Sequence, residues 1–359
     1  MTGLLPLLTL AVLSGATAPE PPPAPPQDRL AQVDALMRDY QGQVPGASVL
    51  VLRDGRPLLR RGYGLADVQA GVRAGPHTHY RLASVTKQFT AAAILLLAQD
   101  GKLSLDDPVK RWLPSLPAAA DGITLRHLLS HTSGLVDYED HIPPGFEGQL
   151  HDIDVLHILE GQDRTYFAPG SDYRYSNSGY ALLALVVGEA SGSDFASFLH
   201  ERIFAPLGMD HAVAHQDGVD TVADRAYGHS LVDGRWTRTD QSQTSAVLGD
   251  GGIYASIDEL ARWDAALYED GRLLRPGSLA AMFSPATATD EPDVPHYGMG
   301  WRLNGDNVWH SGESIGFRNV IVRWPGERLT VVVLSNRDDP EPYPLALEIA
   351  RLFREPAPP

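Results

Sequence analysis

The sequence contains no cysteine among its 359 residues. Disulfide bonds and a cysteine-linked lipid anchor are therefore excluded, whereas export is compatible with this composition because unpaired thiols are a liability outside the cytoplasm. Positive charge is also scarce: 29 lysines and arginines stand against 45 aspartates and glutamates, a net charge of −16. Nucleic acids and anionic membranes both require a positively charged surface, so we expect neither as a partner.

The apolar run at the N-terminus lacks the length of a membrane span. Residues 4–13 have the length of a secretory signal core, and Ala-Thr-Ala at 16–18 offers a small-residue cleavage pattern. A signal peptide over residues 1–18 and a proline-rich linker over 19–27 predict a secreted or periplasmic protein without stable membrane insertion. No lysine or arginine precedes the run and Pro19 disfavours cleavage after Ala18, so cleavage after Ala16, an uncleaved anchor and a mis-assigned start stay open.

A serine–lysine pair stands at the start of an apolar segment. Ser84 and Lys87 precede residues 88–99, which predict a helix buried on nearly all sides. A lysine three residues after a serine lies about one turn away on the same face. Apolar surroundings and a helix N-terminus disfavour the ammonium form, so we expect the pKa of Lys87 to fall and the lysine to act as a base toward Ser84. The simpler alternative is a capping serine followed by a solvated lysine.

A second polar segment, Tyr175-Ser176-Asn177, lies in a predicted loop before a helix at about residues 180–189. The tyrosine hydroxyl can move protons between a nucleophile and a leaving group. The asparagine amide can donate to a substrate carbonyl or accept from its N–H. A turn with a partly packed tyrosine is the alternative.

A third segment, His310-Ser311-Gly312, follows a predicted strand near Trp309. The backbone of a strand edge can stabilise an oxyanion and pair with an extended substrate. Gly312 would let that substrate approach the backbone closely. A polar bulge between strands is the alternative.

The histidine pairs do not predict a metal site. His127 and His131 are spaced four residues apart, but no third ligand with convincing spacing follows them. A structural role is expected for both, and for His77 and His79. The prediction is that the protein uses neither a metal nor an organic cofactor.

The pentapeptide at 312–316, Gly-Glu-Ser-Ile-Gly, fits the nucleophile elbow of α/β-hydrolases. That elbow requires a helix after the serine, whereas residues 319–324 predict a strand. Ser314 is therefore not expected to be the nucleophile.

In combination and order, these segments resemble the penicillin-recognising serine hydrolases. The nearest branch comprises class C β-lactamases, D-Ala-D-Ala carboxypeptidases, D-aminopeptidases and β-lactamase-fold esterases. Further segments that carry the resemblance are residues 81–90, 101–109, 128–135 and 251–256. The resemblance covers most of the chain, from about residue 29 to 353.

The resemblance implies catalytic roles for three residues. Ser84 matches the acylated nucleophile, Lys87 its partner base, and Tyr175 the tyrosine that helps to move the proton. Because the acylation base is disputed across the family, Lys87 and Tyr175 are assigned that role jointly.

The resemblance also implies how the substrate is held. Asn177 matches the asparagine that contacts the substrate amide, and the backbone N–H groups of Ser84 and Glu313 would form the oxyanion hole. His310, Ser311 and Gly312 match a substrate-binding triad that reads Lys-Thr-Gly in β-lactamases, although some peptidase relatives carry histidine. Histidine is mostly neutral at pH 7. We therefore expect weak β-lactam turnover, and better turnover of an anionic substrate as His310 protonates below about pH 6.

The expected fold is α+β and β-lactamase/transpeptidase-like. Hairpin signals, the strongest at Asp54-Gly55, predict a five-stranded antiparallel sheet flanked by helices from both termini. This α/β lobe would comprise residues 28–102 and 246–359, with a helical lobe, residues 103–245, inserted between its two parts. The helix after Ser84 would lie at the junction, where clefts bind small ligands.

The predicted function is that of a serine hydrolase working through an acyl-enzyme on an amide, ester or lactam bond. The substrate would be a small molecule or peptide, and the enzyme a peptidase or esterase with weak β-lactamase activity. The alternative is a non-catalytic penicillin-binding-like protein that binds peptidoglycan fragments or other ligands. The presence of Ser84, Lys87 and Tyr175 together favours catalysis. The sequence leaves the oligomeric state open.

Overall fold

A computed structural model describes residues 27–216, 218–268 and 271–354 of the chain. The predicted signal peptide, residues 1–18, and the predicted linker up to residue 26 lie outside the described residues. The linker was expected to include Gln27, but this residue already begins the first helix.

Fifteen strands and eleven α-helices are formed within the described residues. In chain order the strands are β1 (Ala47–Arg53), β2 (Arg56–Tyr63), β3 (Leu65–Asp67), β4 (Val72–Arg73), β5 (Tyr80–Arg81), β6 (Val213–Ala214), β7 (His229–Val232), β8 (Arg235–Arg238), β9 (Ile253–Ala255), β10 (Thr287–Glu291), β11 (Val294–Tyr297), β12 (Arg302–Asn304), β13 (Asn307–Ser314), β14 (Phe317–Trp324) and β15 (Leu329–Ser335). The helices are α1 (Gln27–Leu36), α2 (Lys87–Gln99), α3 (Leu125–Leu129), α4 (Asp152–Glu160), α5 (Asn177–Ser191), α6 (Phe195–Leu199), α7 (Ala205–Leu207), α8 (Leu248–Gly251), α9 (Ile257–Ala266), α10 (Pro276–Phe283) and α11 (Tyr343–Phe353).

The main sheet is antiparallel, as predicted, but the count of five strands is wrong. It has eight strands in the order β10-β11-β12-β13-β14-β15-β1-β2. Of the three strands beyond the predicted five, two are β10 and β11, which are mostly polar and include Pro295. Such residues are typical of a sheet edge, where one side of the strand faces solvent.

The hairpin between β1 and β2 forms where Asp54-Gly55 predicts it. Both residues have positive φ, 51° and 72°. A two-residue turn of this kind matches the twist of the flanking strands and favours glycine, which has no Cβ to clash. The turn sets the register that pairs Arg53 with Arg56.

The central strands are buried on both faces because helices cover each side. Val49 and Val333 are register partners that pack in the cluster containing α1 and α11. Leu50 and Val332, one residue along, belong to the cluster on the opposite face, next to α9. This alternation has the two-residue period of a strand, and it confirms the prediction that helices from both termini flank one face of the sheet.

Helix α2 is the buried helix that the sequence predicts. Every residue from Lys87 to Leu97 is buried, and the helix packs against α5, α8 and α10. It begins one residue earlier than predicted, directly after a 3-10 turn, Ala83–Thr86, that carries Ser84. Helices also dominate residues 103–245, although β6 pairs with β9 outside that range. The boundaries of the two lobes stay a prediction.

None of the helices in the described part of the chain has by itself the length and apolar composition of a membrane span. Only α5 together with Phe195–Leu207 meets both conditions, as a pair bent by 78°.

Candidate active site

Ser84 lies in a tight turn that the sheet presses against. Its neighbour Ala83 has φ = 49°, a left-handed conformation that is costly for a residue with a side chain. Strand β13 packs on this turn so closely that a Cβ at Gly312 would lie 2.0 Å from the carbonyl oxygen of Leu82. Gly312 was expected to make room for substrate. The structure shows that it makes room for the backbone that precedes Ser84.

Lys87 is enclosed by three acceptors. Its Nζ donates to Ser84 Oγ at 3.0 Å, to Asn177 Oδ1 at 2.8 Å and to the backbone oxygen of Asp250 at 2.9 Å. The lysine is fully buried, in contrast to the solvated lysine of the alternative interpretation. Three N–H bonds and three acceptors hold Nζ at one position beside the serine oxygen.

Asn177 and Tyr175 approach Lys87 from the start of α5. Ser176 caps this helix by accepting from the backbone N–H of Gly179, which places Asn177 in the first turn. The ring of Tyr175 lies 4.9 Å from Lys87 Nζ. Its hydroxyl is buried and has no hydrogen-bond partner among the described residues.

An open cleft of about 240 Å³ lies in front of Ser84. Glu313 and Asn177 line it together with Ser84, so both proposed oxyanion-hole residues border the same space. Other lining residues are Arg81, Ala83, Glu139, Ser242, Thr244, Asp250, Gly251, Ser314 and Ile315. A carbonyl placed in the cleft would meet the serine, the strand edge and the asparagine together.

His310 does not face this cleft. Its side chain is fully buried, with Nε2 3.0 Å from the Tyr297 hydroxyl and Nδ1 2.6 Å from the backbone oxygen of Ser311. Burial, and secondarily the charge of Arg302, lower its pKa well below the ordinary value of 6.5. The expectation that His310 attracts an anionic substrate by protonating near pH 6 is therefore wrong. The histidine is instead held inside the protein by its contacts with Tyr297 and Ser311.

Arg302 is the cation that sequence reasoning missed. It projects from β12, whose residues pair with β13, and its Nη1 donates to Ser311 Oγ at 3.0 Å. Its guanidinium lies 5.5 Å from the Tyr175 ring, and its Nη2 lies 3.7 Å from Glu291. The positive charge beside the triad thus comes from the neighbouring strand. Only the pairing of β12 with β13 reveals this, because the sequence spacing carries no signal for it.

Asp250 is a second residue that the sequence did not single out. Its carboxylate accepts from the Tyr138 hydroxyl at 3.2 Å and borders the cleft. Burial raises its pKa from the ordinary 3.8 to about 6, although the nearby Lys87 ammonium opposes the shift. With Glu139 and Glu313 it makes the cleft rich in carboxylates.

His127 and His131 both have structural roles. His127 belongs to the cap of α3, where its Nδ1 accepts from the backbone N–H of Thr124. His131 is buried, accepts from Ser176 N at 3.1 Å and stacks 4.3 Å from the Tyr175 ring. Residues 27–216, 218–268 and 271–354 hold no cluster of three or more metal-ligating side chains. Ser314 ends β13 and is followed by β14, as the sequence predicts.

This arrangement of the site agrees with the protein family that the sequence matches. A family model described as Beta-lactamase matches residues 31–354. The chain belongs to the beta-lactamase family. The resemblance drawn from its motifs is thereby confirmed, and the family is one of serine hydrolases.

Two relatives are similar along most of the chain. Penicillin-binding protein 4* of Bacillus subtilis (strain 168) is 31% identical over 319 residues, which are 84% of this chain and 70% of the relative. Protein flp of Staphylococcus aureus (strain NCTC 8325 / PS 47) is 31% identical over 323 residues, 86% of this chain. The match spans 63% of the length of flp.

Solved structures show the same fold. An octameric penicillin-binding protein homologue from Pyrococcus abyssi has a TM-score of 0.78 and 26% identity, with 91% of this chain and 77% of that chain covered. The D-amino acid amidase from Ochrobactrum anthropi SV3 has a TM-score of 0.78 and 26% identity, with 91% and 100% covered. The hydrolase EstCE1, at 23% identity and a TM-score of 0.76, supports the fold alone. The β-lactamase/transpeptidase-like fold is confirmed.

Proposed function

We propose that this protein is a serine hydrolase that cleaves amide or ester bonds of small-molecule or peptide substrates through an acyl-enzyme at Ser84. The observation that carries the proposal is the 3.0 Å hydrogen bond between Lys87 Nζ and Ser84 Oγ at the edge of an open cleft. A non-catalytic binding protein would not require a buried lysine held against a serine. The geometry favours catalysis over that alternative.

In the proposed reaction, Ser84 Oγ attacks the substrate carbonyl carbon and its proton passes to the Lys87–Tyr175 pair. The backbone N–H groups of Ser84 and Glu313 hold the oxyanion of the tetrahedral intermediate. The carbon–nitrogen or carbon–oxygen bond then breaks, and the departing atom takes the proton back. Water attacks the ester on Ser84 in the same way, which releases the acid and restores the serine.

The charge in the cleft favours neutral or cationic substrates. The acidic residues Glu139, Asp250 and Glu313 border it together with the cationic Arg81, whereas His310 is buried away from it. A β-lactam carboxylate would meet these carboxylates, and like charges repel. The similarity to a D-amino acid amidase supports an amide whose acyl part carries an amine. We therefore propose that β-lactam turnover is weak.

A panel of three substrates tests this function on the purified protein. The panel contains a D-amino acid amide, a neutral p-nitrophenyl ester and a chromogenic cephalosporin. We expect kcat/KM for the amide or the ester to exceed that for the cephalosporin by at least about 10-fold, and Ser84→Ala to abolish every activity. A cephalosporin value of roughly 10⁶ M⁻¹s⁻¹ would contradict the proposed specificity. Turnover that survives in Ser84→Ala would contradict the mechanism.

A further inference from the structure

The two acceptors that share Lys87 with Ser84 are themselves held by two consecutive residues. Asn177 presents Oδ1 to the lysine and donates through Nδ2 to Glu139 Oε1 at 3.2 Å. Asp250 presents its backbone oxygen to the lysine, and its carboxylate accepts from the Tyr138 hydroxyl at 3.2 Å. A single short segment, residues 138–139, therefore contacts both Asp250 and Asn177, the two residues that share Lys87 with Ser84.

That segment is anchored to the helix that carries Asn177. The backbone N–H of Tyr138 donates to Ser178 Oγ at 2.9 Å, and Ser178 Oγ donates to the backbone oxygen of Val136 at 2.8 Å. Ser178 follows Asn177 in α5, and Tyr138 is fully buried. The segment thus keeps a fixed position relative to the asparagine that it contacts.

Each contact restricts the orientation of a residue that accepts a hydrogen bond from Lys87, and so helps to hold the lysine in place. A side-chain amide can present either its oxygen or its nitrogen, and only the oxygen accepts from an ammonium. The Glu139 carboxylate oxygen accepts from Nδ2, which leaves Oδ1 for Lys87. The Tyr138 hydroxyl restrains the side chain of Asp250, the residue whose backbone oxygen Lys87 contacts. Hydrogen bonds behind a reactive group tune it by fixing its orientation.

We propose that Tyr138 and Glu139 are positioning residues that hold Asn177 and Asp250 in place around Lys87. Neither residue is required to exchange a proton with the substrate. This inference rests on the proposed function, because it assumes that Lys87 activates Ser84.

The test compares four variants of the full protein. Tyr138→Phe removes the hydrogen bond to Asp250, and Glu139→Ala removes the hydrogen bond from Asn177. Glu139→Gln keeps an oxygen that can accept from Asn177. Tyr80→Phe is the matched control, since Tyr80 is also fully buried and its hydroxyl lies 3.0 Å from Ser48 Oγ, a contact that does not involve the Lys87 acceptors. The readouts are kcat and KM on a neutral ester and the rate at which a small fluorophosphonate labels Ser84. Circular dichroism establishes that each variant is folded.

We expect Tyr138→Phe and Glu139→Ala each to lower kcat and the labelling rate by roughly 10-fold, with KM within about twofold of wild type. Glu139→Gln should recover most of the loss, and Tyr80→Phe should label at about the wild-type rate. Folded Tyr138→Phe and Glu139→Ala variants that label as fast as wild type would overturn the inference. So would a Glu139→Gln variant that is as slow as Glu139→Ala. A wild-type protein that is not labelled at Ser84 would instead overturn the proposed function itself.

Discussion

At the scale of single residues, Lys87 carries most of the chemistry. Its Nζ lies within 3.0 Å of a serine hydroxyl, a side-chain amide and a backbone carbonyl. These three acceptors fit one compact ammonium group. In the amine that it becomes when it gives up a proton, two N–H bonds serve Asn177 Oδ1 and the Asp250 carbonyl, and the lone pair accepts from the Ser84 hydroxyl. A planar guanidinium has its donors in a fixed fork and cannot reach the same three atoms.

Lys87→Arg should therefore be nearly as damaging as Lys87→Ala. Arginine keeps the charge but does not release a proton at any working pH. We expect both variants to lose at least about 100-fold in kcat/KM on a neutral ester, the effect of removing a general base. An arginine variant within a few-fold of wild type would show that Lys87 contributes only charge.

The preference between anionic and neutral substrates should change with pH because Asp250 titrates, and not because His310 does. Because the pKa of Asp250 is raised to about 6, its carboxylate becomes neutral as the pH falls through that value. The repulsion of an anionic substrate then fades. The ratio of kcat/KM for a cephalosporin to that for a neutral ester should therefore rise as the pH falls from about 7.5 to about 5. The cephalosporin carboxylate stays ionised over this range.

Two variants separate these groups. Asp250→Asn keeps the backbone carbonyl that Lys87 contacts, and it should flatten the rise in the ratio. His310→Gln should preserve the rise, because burial holds the pKa of this histidine well below its ordinary value and its side chain does not border the cleft. If the rise in the kcat/KM ratio disappears in His310→Gln and persists in Asp250→Asn, the group whose titration controls the binding of anionic substrates is His310 and not Asp250.

The sequence predicts the residues whose partners are near in the chain or fixed by a motif. Ser84 and Lys87 are one turn apart, and their contact follows from that spacing. Arg302 reaches the site because β12 pairs with β13, and Asp250 reaches it from the short helix α8. The sequence around each of them contains no motif that indicates a place in the site. His310 was misjudged for the same reason. Its burial depends on Tyr297, which belongs to a strand that the sequence did not predict.

At the scale of elements, the site depends on how closely β13 approaches the turn before α2. The approach leaves no space at Gly312, where a Cβ would fall 2.0 Å from Leu82 O. Real Cβ atoms do not approach a carbonyl oxygen that closely, so a side chain must push the turn and the strand apart. The displaced atoms would include the backbone N–H groups of Ser84 and Glu313.

Gly312→Ala should consequently lose roughly 10- to 100-fold in kcat on a neutral ester, because small displacements of reacting groups are costly. It should also reduce the free energy of unfolding by about 1–3 kcal/mol through overpacking. Gly326→Ala is the control, since a Cβ there has no neighbour within 4 Å. Kinetics and denaturant unfolding of the two variants side by side provide the measurement. If Gly312→Ala matches Gly326→Ala in both, the close approach has no functional role.

At the scale of the whole molecule, hairpin signals predicted the antiparallel sheet that helices from both termini flank. Two of the three strands that the predicted count lacks, β10 and β11, lie at one edge and have polar residues and a proline in place of an apolar pattern. The resemblance placed Glu313 beside Ser84, but no pattern indicated that Glu139 and Asp250 border the same cleft. Glu139, Asp250 and Glu313 are more than 60 residues from one another, and only the folded chain gathers them in one cleft.

The most direct measurement is the site of covalent labelling by a fluorophosphonate, read by mass spectrometry of the intact protein and of its peptides. We predict one adduct per chain on the peptide that contains Ser84, complete loss of the adduct in Ser84→Ala, and an unchanged adduct in Ser314→Ala. Ser314 is a matched control because it borders the same cleft. Label on Ser314, or undiminished labelling of Ser84→Ala, would contradict the assignment of Ser84 as the nucleophile.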